Sequence, residues 1–91
     1  MWRLTGYEFP ALPKFAPATF ELPIDAIVTT VFADEPRQCL RMFVLANTAD
    51  PTVPRTFVPL SPGDDVPELL WVAGAAMFEG RAWHIVEVPN D

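Results

Sequence analysis

Eleven prolines are spread through the 91 residues, at positions 10, 13, 17, 23, 36, 51, 54, 59, 62, 67 and 89. Proline lacks an amide donor and disrupts helix interiors and central sheet ladders alike. The longer proline-free gaps are 23–36, 36–51 and 67–89, and the best-formed elements are expected inside them.

Within those gaps the side chains read as strands. Residues 26–33 (AIVTTVFA) and 40–46 (LRMFVLA) are β-branched and aromatic, and the turn Asp34-Glu35-Pro36-Arg37 between them predicts a hairpin. Residues 4–9 and 19–22 read as two shorter strands, joined by an extended, proline-punctuated connection over 10–17. Residues 47–54 read as a loop, and 55–60 as a short strand that Pro59 places at an edge or ends in a bulge. Residues 61–65 read as a turn.

The stretch 65–80 supports two readings. Asp65-Val66-Pro67-Glu68 has the acidic cap, early proline and following glutamate of a helix start. Residues 69–78 contain no polar side chain, however, so a helix there would be apolar on every side. The favoured alternative is a hairpin: a strand over 70–78, a Glu79-Gly80 turn, and an alternating strand over 81–88 (RAWHIVEV). The expected fold is mainly β, a small twisted antiparallel sheet, open barrel or sandwich of six or seven short strands. At most one short helix, near 65–78, is expected.

A chain of 91 residues is one domain's worth, and its 51% hydrophobic content suffices for a packed core. No apolar run is long enough to span a bilayer as a helix, and Met1 to Gly6 lacks the apolar core of a signal peptide. One cysteine, Cys39, allows no internal disulfide. These features predict a cytoplasmic protein.

The net charge is −6, and it is distributed unevenly. From residue 56 onward six acids (Asp64, Asp65, Glu68, Glu79, Glu87, Asp91) accompany one base, Arg81. Such a field repels nucleic acid and attracts basic protein surfaces. Asp64, Asp65, Glu68, Glu79 and Glu87 are therefore the candidate partner-binding residues.

Catalytic chemistry finds little support. His84 and Cys39 are single occurrences whose spacing does not suggest a dyad, and Ser61 lacks the glycine context of a nucleophile elbow. One histidine and one cysteine cannot build a structural zinc site. Asp64, Asp65 and Glu68 lack the alternating ligands of a calcium loop, and the four glycines form no phosphate cradle. No enzymatic activity, metal or cofactor is expected. Trp2, Trp71 and Trp83, each among apolar neighbours, are expected in the core.

The segments 4–10, 19–23, 26–32, 40–46, 55–57, 71–74 and 82–88 together resemble a family of small, uncharacterised phage and prophage proteins. An aromatic-Glu-hydrophobic strand opens such chains, and an aromatic-His-hydrophobic-x-Glu strand closes them. The chain departs from that pattern at Leu60-Ser61-Pro62-Gly63, where the family tends to carry a glycine-rich segment with a histidine. By type, a small acidic protein of this kind also resembles anti-CRISPR inhibitors. That resemblance implies a monomer in the host bacterial cytoplasm that presents carboxylates to the basic DNA-binding surface of a CRISPR effector subunit. The alternative is a phage accessory or structural module that assembles with itself or another virion protein by edge-strand pairing. A β-barrel pocket for a small ligand is a third reading.

Overall fold

The computed structural model describes residues 1–11 and 15–90. Part of the expected 10–17 connection and Asp91 lie outside the described residues. Seven strands form in order: β1 (Trp2–Pro10), β2 (Ala18–Pro23), β3 (Ile27–Asp34), β4 (Cys39–Asn47), β5 (Thr52–Leu60), β6 (Trp71–Phe78) and β7 (Arg81–Val88). They make two antiparallel sheets, β1-β4-β3 and β2-β5-β7-β6. The sheets share one core, in which Phe9, Leu40, Met42 and Val44 of the first join Leu22, Phe57, Phe78 and Ile85 of the second. Phe20 links the two layers, with ring centroids 4.9 Å from Tyr7 and 5.6 Å from Phe9.

Both expected hairpins form. In the β6–β7 turn, Glu79 (φ 49°) and Gly80 (φ 77°) both lie in the left-handed region. This is the two-residue turn whose twist matches that of the strands it joins. Asparagine, not glutamate, suits its first position. Glu79→Asn is expected to raise the melting temperature by a few degrees, about 0.5–1 kcal/mol, in a thermal melt.

Four points refine the expected fold. First, the one short helix that the sequence allowed does not form among the described residues, and the favoured hairpin takes its place. The Leu70 amide donates instead to the Glu87 carbonyl at 2.9 Å, and Asp64 accepts from the Ser61 amide at 2.9 Å. Strand pairing and a local turn thus take up groups that a helix would use.

Second, β5 is longer than expected and central, not at an edge. Its two prolines are tolerated because its neighbours are staggered. The part with Pro54 pairs only with β2, and the part with Pro59 only with β7. Each proline has a side without a ladder, where a missing amide hydrogen costs nothing.

Third, Trp2 and Trp71 are exposed, and only Trp83 packs against the core. Fourth, the Asn47–Pro54 loop is shorter than expected, because β4 runs to Asn47 and β5 begins at Thr52.

The margins of the sandwich differ. On one side β3 and β6 pack together without a ladder. Gly74 makes this approach possible: a Cβ built there would stand 2.9 Å from Val31 Cγ2. On the other side β1 has no strand beyond it in its sheet.

Candidate protein-docking surface

The β3–β4 and β6–β7 turns meet at one end of the sandwich, where the Glu79 amide donates to Glu35 Oε1 at 2.8 Å. Charged side chains collect there. Arg37 and Arg41 lie within 4.0 Å of Glu8 and Asp34. Arg41 also sits over the Phe43 ring at 5.7 Å. Its Nε is buried without an acceptor among the described residues. Asp64, Glu79 and Arg81 border an open cleft beside Phe15, Phe78 and Trp83.

The five sequence-selected carboxylates do not form one face. Asp64 and Glu79 reach the charged end, and Asp65 is exposed in the adjoining loop. Glu68 stands near Val58, Val66 and Val88, over the second sheet. Glu87 is turned inward and only 8% exposed. Its carboxylate accepts from Arg55 Nε at 2.8 Å and from Arg55 Nη2 at 2.7 Å. Glu87, expected at the surface, is instead tied to Arg55 inside the protein. It lies on the core side of β7 because Phe57 opposite it, and Ile85 two residues before it, also point inward. Arg55 completes the arrangement by donating through Nη1 to the Ala26 carbonyl at 2.8 Å. The Glu87 hydrogen bonds hold the guanidinium pKa above its ordinary value, against the opposing effect of burial.

Cys39 is buried, and burial, followed by Glu8 and Asp34, pushes its thiol pKa up. The stability carried by the neutral thiol is complete below the unfolded-chain value of 9.0 and is lost as pH rises through the higher folded value. Cys39 should thus react slowly with a thiol reagent in native buffer and fast in denaturant. Equal rates would show that the site is open. His84 is exposed on β7. No group of three metal-ligating side chains occurs among the described residues.

The opposite end is apolar. Leu4, Leu45 and Ile27 stand in one row across β1, β4 and β3, on the face turned away from the core. Trp2 adjoins the row, and Ile27 lines a hollow with Leu70, Trp71, Arg55 and Glu87. Trp2, Leu4, Ile27, Leu70 and Trp71 are each more than half exposed. Together they present roughly 600 Å² of apolar surface, as large as the largest patch on a typical monomer. Next to this row Phe32 and Phe43 stack on the same face, with centroids 5.5 Å apart.

The sequence carried a signal for this surface. In β4, Leu40, Met42, Val44 and Ala46 face the core, yet Phe43 and Leu45 between them are also apolar. A strand apolar on both faces predicts a cover on both.

The fold and this surface define an all-β, two-sheet domain with one apolar and one charged end. No protein-family model matches the chain, and no curated protein or solved structure matches it either.

Proposed function

We propose that this chain is a non-catalytic assembly module that docks through its apolar end, as an accessory or structural component of a larger protein complex. The observation that carries this reading is the clustering of Trp2, Leu4, Ile27, Leu70 and Trp71 at one end of the sandwich. Burying such side chains is the main source of association free energy, at about 25 cal/mol per Å² removed from water.

A second reading keeps the charged end as the docking surface, in the manner of a CRISPR-effector inhibitor. One observation favours it. Glu79 occupies a left-handed position at φ 49° that glutamate fills poorly, beside Glu35 and Asp64. A strained polar side chain at a tip is a pointer to function.

Site-specific photocrosslinking in a bacterium that expresses the chain separates the two readings. With the crosslinker at Trp71, protein adducts are expected, and with it at Thr19, on the outer face of the other sheet, none. Adducts confined to positions 64 and 79 would overturn the apolar-end reading and support the second. Charge reversal of Asp64 and Glu79 together is expected to leave the Trp71 adducts unchanged.

A further inference from the structure

We propose that the first occupant of this surface is a second copy of the chain, paired antiparallel along the open edge of β1 about a two-fold axis at Leu4. This inference rests on the assembly reading and names its partner.

The main chain sets the geometry. The Thr48 amide donates to the Met1 carbonyl at 2.8 Å, and the Ala11 amide to the Gln38 carbonyl at 3.0 Å. Both pairs extend the β1–β4 register. In an antiparallel ladder, hydrogen-bonded and non-bonded positions alternate. Odd-numbered residues of β1 therefore turn their polar groups to β4. Trp2, Leu4, Gly6 and Glu8 turn theirs to the open edge.

The other margins are less available. β3 and β6 close on each other at Gly74 and Val31. β2 is short and bracketed by Pro17 and Pro23. β1 has no proline before Pro10 and no lysine, and its charges are only Arg3 and Glu8. A long edge so lightly guarded is a template for pairing.

Side chains select the register. An axis at Gly6 sets Leu4 against Glu8 and calls on Pro10 for a donor it lacks. An axis at Thr5 sets Trp2 against Glu8. An axis at Leu4 sets Leu4 against its copy and Trp2 against Gly6, with about six ladder hydrogen bonds. The Ile27–Leu45–Leu4 row then continues across both copies.

Gly6 explains why Trp2 fits there. Arg41 and Phe43 lean over it so closely that a Cβ would lie 2.9 Å from Arg41 Nη2 and 3.0 Å from Phe43 Cε1. The incoming Trp2 then meets a guanidinium and an aromatic ring, both of which favour an indole face. Met1, Trp2 and Leu4 offer about 400 Å² per copy, roughly half of what a standard interface takes from each partner. The ladder adds main-chain contact, and the dimer belongs to the weaker, concentration-dependent class.

Sedimentation equilibrium from about 10 to about 500 µM, a range suited to an interface of this size, tests the inference. The expected mass rises toward twice 10.1 kDa and changes little with salt. Leu4→Pro removes an amide turned to the open edge and a side chain more than half exposed, so it is expected to stay folded by circular dichroism and to be monomeric throughout. Leu4→Cys is expected to form a disulfide-linked dimer on mild oxidation, and Glu8→Cys is not. A wild-type monomer at the highest concentration, or a Leu4→Pro chain that dimerises like wild type, overturns the pairing. If crosslinks from Trp71 to another protein persist while the chain is monomeric, the pairing fails and the apolar-end reading stands. A β1-linked dimer without Trp71 adducts supports the pairing and removes the hollow from the docking surface.

Discussion

Replacing Glu87 by alanine is expected to lower stability by about 2–3 kcal/mol, a fall of roughly 10–20 °C in melting temperature for a domain this small. The variant leaves Arg55 facing the core with one acceptor, the Ala26 carbonyl, instead of three. The loss comes less from the pair's own attraction than from an uncompensated charge in a site largely shielded from water. Some solvent access, 18% for the Arg55 side chain and 11% for Glu87, keeps the cost below that of a fully buried pair. The double variant Arg55→Met with Glu87→Leu is expected to recover most of the stability, since apolar groups of similar volume need no partner. Thermal melts of the two variants decide the matter. A Glu87→Ala chain as stable as wild type would mean that water reaches Arg55 freely.

The second large effect is expected at Gly74. Gly74→Val places side-chain atoms where even a Cβ would be 2.9 Å from Val31 Cγ2 and 3.1 Å from Val31 Cβ. Valine at position 31 is stiff and cannot swing aside. The sheets must separate locally, at a cost of about 2–3 kcal/mol. Val31→Ala in the same chain removes the nearer atom and is expected to restore part of the loss. Denaturant titration of the single and double variants reads the coupling between the positions. Additive losses would show that the two residues do not touch.

These two sites illustrate what sequence reasoning reached and what it missed. The strands of the two hairpins were legible because β-branched alternation and turn chemistry are local. The Glu79-Gly80 turn was found for the same reason. The position of β5 was not legible. Pro54 and Pro59 argue for an edge, and only the stagger of β2 and β7 relieves them. That stagger is a property of three strands together.

The candidate site was legible in part. Counting carboxylates identified Asp64 and Glu79 at the charged end but also selected Glu87, whose partner lies 32 positions away. Composition cannot tell a solvated acid from one that faces inward. Trp2 and Trp71 were assigned to the core because their neighbours are apolar. The register of β1 on β4 turns Trp2 outward with Leu4 and Leu45, and Trp71 begins β6 at the rim of a hollow. Large aromatic residues go inside when the fold has room, and a 91-residue sandwich has little.

The contact between Val31 and Gly74 also limits how far copies of this chain can aggregate. A flat sheet with two sticky borders grows without end, as fibrils do. Here the far border of the three-stranded layer is already spent on the chain's own neighbour. The proposed association along the near border would therefore stop at a pair, and opening the far one, as Gly74→Val would, risks turning a finite complex into a filament.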